Sequence, residues 1–389
     1  AGSGKTTVLV GRILKLIEEG ETGIDRMLIV TFTRAAAGEM RERIGLLLEK
    51  EGENDAHLRR QYLLLPRASI CTLHVFCYGV LREHFEAVDI DPLCRIADQD
   101  KLDALHKRAV EQEMESLYAA PDADEEQLIQ QFEDGQIEEM LLQAERFLLS
   151  QADPHGWIEK HTSARQNDMN SWMQVLCHLS AGHLHGANEL MQQMEDMAQK
   201  AGFPERYFST VEMDRQLTLQ LLSSAEKGDL QGGETKFDRL SSKKMLPEDA
   251  PELIEIYKDL RAEWKERIKA ARALLPQNRE QAEKDILHTL PALRGLFGLT
   301  EKVMQRFFAL KQQRNYLDYS DLEHLTLKAL QQENVRNDVA GRFDAIFVDE
   351  YQDVSGIQEA ILNALHQGQE NMMFMVGDVK QSIYRFRLA

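Results

Sequence analysis

A short glycine-rich run at residues 2–7 (GSGKTT) constrains this chain more than any other feature, and a stretch with helical spacing follows it directly. In such a run, backbone N–H groups point at the phosphates of a nucleotide, and the positive end of the following helix strengthens the attraction. The lysine reaches the β- and γ-phosphates, and the hydroxyl of the next residue binds Mg²⁺. The run therefore predicts a nucleotide-binding phosphate loop, whose residues are Gly2, Ser3, Gly4, Lys5, Thr6 and Thr7.

A chance turn is the alternative to a phosphate loop, and the helix at residues 8–18 argues against it. The full loop pattern needs a small residue two positions before Ala1, which this sequence lacks. The chain does not begin with Met, and its last residues directly follow a dense motif. We therefore expect a fragment truncated at both ends.

Strands and helices alternate near both ends of the chain. Short apolar runs predict buried strands at residues 26–32, 68–72, 343–348 and 371–376. Helical periodicity predicts helices at residues 8–18, 35–50, 75–85 and 355–366. Such alternation indicates an α/β fold with a parallel sheet.

The middle of the chain has a different character. From residue 98 to residue 314 strand-like runs vanish and long helical patterns replace them, with a polar, glycine-containing stretch at 223–248 that predicts a loop. The simplest architecture is one α/β domain, at residues 1–97 and 315–389, interrupted by a large all-helical insertion at residues 98–314.

A second motif, VDEYQD at residues 348–353, follows one of the predicted strands. The strand delivers two carboxylates to its C-terminal end, where ligands bind in open α/β sheets. Asp349 is expected to hold Mg²⁺ and Glu350 to orient and deprotonate a water molecule. An Asp-Glu pair is weak by itself, but phosphoryl transfer needs both it and the phosphate loop.

A third motif, at residues 376–387, follows the last predicted strand. Gln381 is placed to sense the γ-phosphate. Tyr384 and Phe386 stand two apart with an arginine between them, which suits a stacking platform for unpaired bases. Considered alone, an aromatic pair packed in a core is the preferred interpretation.

Charge and cysteine content limit the partners less than they first suggest. The net charge is −19, yet a basic groove can lie on an acidic body. A basic stretch near Trp264 could meet phosphates, although Glu263 and Glu266 dilute it and favour a solvated helix face. No C-x-x-C pair or membrane-length apolar run is present, so we expect reduced thiols and a cytoplasmic protein. The basic residues are Arg261, Lys265, Arg267, Lys269 and Arg272.

Five motifs together resemble one family. Residues 2–7, 31–40, 72–77, 349–353 and 377–387 occur in the order of the superfamily 1 UvrD/Rep-like helicases. Within that superfamily the chain is most similar to the AddA family, whose members are helicase–nuclease subunits of bacterial complexes that process double-strand breaks. The form of residues 377–389, the LDYSDLE segment at 317–323 and the long gap between His74 and Asp349 carry this likeness.

The resemblance implies a RecA-like P-loop NTPase domain that uses ATP and Mg²⁺. It implies that Phe32 stacks on a base of single-stranded DNA and that Tyr384 and Phe386 do the same, which reverses the preference for a core pair. It implies that Gln381 couples the γ-phosphate to these contacts. Thr33, Thr72 and His74 are the further DNA contacts that it implies, and Val75 puts one backbone contact in doubt.

The resemblance also implies partners and a direction. It indicates 3′-to-5′ movement on single- and double-stranded DNA, an AddB-type partner protein in a heterodimer, and a nuclease domain beyond Ala389. Four alternatives remain open: a UvrD/Rep-like repair helicase without nuclease, a RecB-like subunit, a P-loop ATPase unrelated to nucleic acid, and a non-catalytic DNA-binding assembly subunit. We expect this chain alone to bind nucleotide weakly and to unwind nothing.

Overall fold

The computed structural model describes residues 4–162, 169–200, 202, 205–237, 251–366 and 371–378. The chain divides into two compact units, Ala1–Lys160 with Ala292–Ala389, and His161–Pro291. The first unit is mixed α/β with a parallel sheet, so the predicted fold class is confirmed at that level. The predicted domain limits at residues 98 and 314 stay a prediction.

Parallel strands form the centre of the first unit. They are β1 (Met27–Thr31), β2 (Ser69–Thr72), β5 (Ala345–Val348) and β6 (Met372–Met375), with two shorter ones, β3 (Arg95–Ile96) and β4 (Tyr316–Leu317). The four longer strands make the main sheet, in the order β2-β1-β5-β6. Every residue of β1 and of β5 is buried, as expected for strands of a parallel sheet covered on both faces. The four predicted strands are confirmed, each within a few residues of its expected limits.

Helices cover both faces of this sheet because side chains alternate along each strand. The helices on the first face are α1 (Lys5–Glu18), α2 (Arg34–Glu51) and α3 (Ala56–Leu64), and those on the second are α4 (Leu73–Glu83), α13 (Tyr319–Leu330), α14 (Glu333–Ala340) and α15 (Gly356–His366). Ile29 and Phe347 pack on the first face, among residues of α1, α2 and α3. Leu28 and Ile346 pack on the second, among residues of the other four helices.

Further helices complete the first unit. They are α5 (Gln99–Ala119), α6 (Ala123–Gln131), α7 (Asp134–Leu149), α8 (Pro154–Thr162) and α12 (Arg279–Gln312), of which α8 and α12 continue into the second unit. Within the first unit Arg294 donates two hydrogen bonds to Asp124, at 2.7 and 2.8 Å, which ties α12 to α6. β3 pairs with β4 in parallel and so joins the two ends of the helical stretch of sequence. A strand of two residues shows no alternation, which explains why sequence patterns did not predict this pair.

The second unit is built mainly from three long helices, α9 (Met169–Lys200), α10 (Glu205–Lys227) and α11 (Pro251–Ala273). Trp264 and Tyr257 are fully buried in its core. The predicted loop at 223–248 was wrong for residues 223–227, which continue α10. Residues 228–237 are irregular, and 238–250 lie outside the described residues. In the described part of the chain, no helix combines the length and apolarity needed to cross a membrane.

The basic stretch on α11 is not a continuous solvated face. Arg261 is only 3% exposed and donates two hydrogen bonds to the equally buried Asp214, at 2.6 and 3.1 Å. Arg267 and Lys269 pair with Glu263 and Glu266 one turn away. Arg272 binds backbone carbonyls, including that of Gly232. Its position on the helix directs Arg261 inward, where its guanidinium pairs with the buried Asp214 carboxylate.

Replacing Arg261 by Ala should destabilise the second unit by about 3–5 kcal/mol, because it removes the guanidinium that neutralises the buried Asp214 carboxylate. Arg267→Ala is the matched control, since its pair with Glu263 is exposed and is expected to be worth about 0–1 kcal/mol. Urea unfolding followed by tryptophan fluorescence measures both. Equal effects of the two substitutions would contradict the buried-pair interpretation.

Candidate active site

The candidate site lies where the carboxyl ends of β1 and β5 meet. From β1 the chain passes through α2 and α3 to β2 on one side, whereas β5 pairs with β1 on the other. Where the chain connections of two neighbouring strands run to opposite sides, a crevice remains beyond the strand ends, and ligands of open α/β sheets bind there. Asp349 donates its backbone N–H to the Val30 carbonyl at 3.0 Å, so the two strands end at the same level.

The amino end of α1 faces this crevice. Gly4 caps the helix with φ 72° and ψ 0°, a left-handed conformation that glycine adopts without strain. The first helical hydrogen bond runs from the Val8 N–H to the Gly4 carbonyl at 3.0 Å. The N–H groups of the preceding turn therefore have no acceptor within the helix and can bind an anion. Gly2 and Ser3 of the predicted loop lie outside the described residues.

Two side chains of α1 meet the two carboxylates that follow β5. The Lys5 Nζ lies 2.5 Å from the Glu350 Oε2, and the Thr6 hydroxyl donates to the Asp349 Oδ2 at 3.5 Å. The structure thus brings four of the predicted site residues together. Hydroxyl and carboxylate oxygens are the ligands that Mg²⁺ prefers, so Thr6 and Asp349 fit this ion by donor chemistry and by position.

The two carboxylates have different electrostatic surroundings. Burial raises the pKa of Asp349, which is 8% exposed, and a hydrogen bond from the Glu350 N–H only partly opposes this. Partial burial alone would also raise the pKa of Glu350. Hydrogen bonds from Gln352 and Lys5, together with the Lys5 charge, outweigh burial and hold that pKa below its ordinary value. Glu350 is therefore the stronger holder of negative charge.

Gln352 organises the loop after β5, and sequence reasoning did not single it out. Its Nε2 donates to the Glu350 Oε2 at 2.7 Å and to the Asp353 Oδ2 at 3.0 Å. Its Oε1 accepts the backbone N–H of Asp378 at 2.8 Å. A Cβ on Gly377 would lie 2.9 Å from that Oε1, so a larger residue there would displace the Gln352 amide. Its place inside the VDEYQD motif was the available signal.

Glu350 occupies an unusual backbone conformation. Its φ of 52° and ψ of 43° lie in the left-handed region, which is uncommon for a residue other than glycine. The Glu350 N–H donates to its neighbour Asp349 at 2.9 Å, and the Asp353 N–H donates to the Glu350 carbonyl at 3.0 Å. These bonds hold the strained residue with its carboxylate directed to Lys5.

Two cavities open on either side of Phe32. One, of about 380 Å³, is lined by Thr6, Thr33 and Gln352 among others. The other, of about 560 Å³, is lined by Thr72, His74 and Tyr319 among others. Phe32, Asp349, Glu350 and Asp353 line both. A ligand in either cavity would touch the same carboxylates.

The predicted DNA contacts fall into two groups. Thr33 and Thr72 are helix caps: their hydroxyls accept the N–H groups of Ala36 at 3.0 Å and Val75 at 3.4 Å. Phe32 is half-buried between the cavities, and His74 is half-buried on the second one. Gln381, Tyr384 and Phe386 lie outside the described residues.

Tyr319 is a further aromatic residue that lines these cavities, and the sequence patterns did not predict it as a DNA contact. It is 51% exposed, and its ring centroid lies 4.8 Å from that of His74. With Phe32, Thr72 and His74 it also lines a third cavity, of about 320 Å³. The LDYSDLE segment was recognised as a family feature, but its tyrosine had no visible partner in the sequence.

Comparison with known proteins agrees with this geometry. The sequence model of the family described as "UvrD/REP helicase N-terminal domain" matches residues 1–389. Proteins named as "ATP-dependent helicase/nuclease" subunits from Syntrophomonas wolfei, Alkaliphilus metalliredigens and Geobacillus kaustophilus are 37%, 36% and 34% identical over the whole chain. The chain spans about a third of the length of these relatives, 32% of the first and 34% of the other two.

Replacing Thr33 by Ala should lower the free energy of unfolding by about 1 kcal/mol, because the cap of α2 is lost. Thr33→Ser is the matched control, since it keeps the accepting hydroxyl and should change stability little. Chemical denaturation followed by circular dichroism measures both variants. Full stability of the alanine variant would show that the cap contributes nothing.

Proposed function

The chain belongs to the UvrD/REP helicase family, and from that premise we propose that it is the first ATPase domain of an ATP-dependent DNA helicase and translocase. The proposal is carried by two contacts at the carboxyl ends of β1 and β5. Lys5 meets Glu350 there, and Thr6 meets Asp349. Phosphoryl transfer needs such a pairing of phosphate ligands, an Mg²⁺ site and a carboxylate that positions water.

The proposed chemistry follows from the same contacts. The first-turn N–H groups of α1 and the Lys5 ammonium bind the phosphates of ATP, while Thr6 and Asp349 hold Mg²⁺. When bound, that ion neutralises charge that develops on the β- and γ-phosphates. Lys5 leaves Glu350 for the γ-phosphate, which frees the Glu350 carboxylate to accept a proton from the attacking water. Gln352 keeps Glu350 in place during this exchange.

We assign the aromatic face to single-stranded DNA. Phe32, His74 and Tyr319 all line two of the cavities, and the larger of these two is also lined by Asp349 and Glu350. Aromatic rings bind unpaired bases by stacking, at about 1–3 kcal/mol per base and with little regard to sequence. From the family resemblance we also propose that Tyr384 and Phe386 stack on bases, that Gln381 couples the γ-phosphate to these contacts, and that movement runs 3′ to 5′.

The relatives suggest the larger assembly. Because they are named helicase/nuclease subunits, we propose that the whole protein is an AddA-type subunit that works with an AddB-type partner on double-strand breaks. In this chain the RecA-like domain would be interrupted between β3 and β4, whose pairing brings the two parts together. A UvrD/Rep-like helicase without nuclease is the alternative, and nuclease assays on the full-length protein distinguish them.

Single-stranded DNA should stimulate ATP hydrolysis by the full-length protein.

Glu350→Gln should keep nucleotide affinity but slow hydrolysis by about 10²–10⁴-fold, because the proton acceptor is lost while Lys5 and the Mg²⁺ ligands remain. Glu53→Gln, the same change at an exposed position, is the control. Phosphate release and fluorescent-nucleotide binding separate the two effects. A loss of less than tenfold would remove Glu350 from the proposed role.

Phe32→Ala should weaken binding of an oligo(dT) strand by about 1–3 kcal/mol, because one base stack is lost. Phe32→Trp should retain most of the affinity, since the larger ring still offers a stacking face. Tyr62→Ala on α3, an exposed aromatic outside the cavities described above, is the control. Fluorescence anisotropy with labelled oligo(dT) gives the affinities. Equal binding by the wild type and Phe32→Ala would contradict the stacking role.

A further inference from the structure

Glu323, a buried residue of α13, lies between His74, a proposed DNA contact, and Gln358, which follows the loop that carries Glu350. It is 7% exposed, although charged residues are seldom so buried without partners. Its Oε1 lies 3.0 Å from the His74 Nε2 and accepts a hydrogen bond from the Gln358 Nε2 at 2.6 Å. One oxygen atom therefore joins the start of α4 to the start of α15.

Gln358 continues this connection toward the ATP site. It is the third residue of α15, and its Oε1 accepts the backbone N–H of Ser355 at 3.3 Å. A side chain that reaches back in this way satisfies a helix-terminal N–H and fixes the entry of the chain into the helix. Ser355 is two residues after Asp353, which belongs to the loop that carries Glu350.

The loop itself is closed by the Gln352 amide, which donates both to Asp353 and to Glu350. A series of contacts therefore runs from His74 through two side chains and the amino end of α15 to the short loop that holds the Glu350 carboxylate. We name His74, Glu323, Gln358 and Ser355 the polar link. Each of its three contacts joins atoms within hydrogen-bonding distance, and Glu323 is its only buried member.

We infer that Glu323 is a positioning residue that couples a DNA strand at His74 to the proton-accepting Glu350. The inference rests on the proposed function, since it concerns how that function is regulated. A strand that engages the half-exposed face of His74 changes the contact between this imidazole and the Glu323 Oε1. Gln358 then re-forms its bond with Glu323, and the amino end of α15 moves with it. Glu323 also lines the cavity of about 560 Å³, and its proposed role is to act through its contacts with His74 and Gln358.

The test measures ATP hydrolysis by the full-length protein without DNA and with saturating oligo(dT). Glu323→Ala should leave the DNA-free rate within about twofold and lower the stimulation ratio by about five- to tenfold, a typical size for coupling between sites. Glu323→Gln keeps an acceptor oxygen for both neighbours and should restore at least half of the stimulation. Glu333→Ala, an exposed glutamate at the start of α14, is the matched control.

Gln358→Met breaks the polar link from its other side and protects the test against misfolding of the Glu323→Ala variant. It should reduce the stimulation ratio by a similar factor, and thermal unfolding confirms that each variant is folded. The double variant His74→Ala with Glu323→Ala should lose no more stimulation than the stronger single variant, because both act in one series. Purely structural substitutions would instead add.

The outcomes are separable. If oligo(dT) does not stimulate the wild type, the proposed function and this inference both fall. If the wild type is stimulated and the Glu323 and Gln358 variants respond like Glu333→Ala, only the inference falls. It also falls if the DNA-free rate drops as much as the stimulated rate, or if higher oligo(dT) concentrations fully restore stimulation. The first result would mean structural support alone, and the second would mean altered DNA affinity.

Discussion

The parallel pairing of β1 with β5 is the constraint on which the whole site depends. It places Val30 opposite Val348, so that the next residues of each strand leave the sheet side by side. Lys5 and Glu350, which are 345 positions apart in the chain, meet only because of this register. A shift of one residue would turn each strand's side chains to the opposite face and would bury a different set against the helices. The apolar faces of both strands therefore protect the position of the carboxylates.

The contacts at the sheet edge also show why the site is ready for a cation and an anion together. Burial works against the charged form of Asp349, whereas the Lys5 charge and the Gln352 amide favour the charged form of Glu350. A divalent cation beside Thr6 would stabilise the charged form of Asp349. A phosphate would replace the Glu350 carboxylate as the partner of Lys5. The site residues neutralise one another in the same arrangement that suits them to the substrate. Because opposite charges are paired locally, the net negative charge of the chain does not prevent the proposed phosphate binding at this site.

The helical parts follow a different physical rule. Their charged residues are largely engaged with one another, as Arg294 is with Asp124 in the first unit and Arg261 with Asp214 in the second. Basic residues counted along α11 favoured a solvated helix face, yet Arg261 lies with Trp264 in the core. In the first unit the same principle acts at Glu323, whose buried carboxylate joins three helices. Charge counted from sequence says little about partners until the direction of each side chain is known.

Local patterns were sufficient for the elements and for the identity of the chemical groups. Residues 26–32 and 343–348 had to form buried strands because a continuous apolar run of that length is satisfied by a parallel sheet, and GSGKTT with VDEYQD named Lys5, Thr6, Asp349 and Glu350 as a set. The two-residue strands β3 and β4, the left-handed Glu350, the inward Arg261 and the meeting of Tyr319 with His74 were decided only by tertiary structure. All except the Glu350 conformation depend on contacts between segments far apart in the chain, and such contacts leave no periodic trace in the sequence. The sequence by itself therefore determined which groups are candidates for the site, and the pairing of distant segments decided which of them touch.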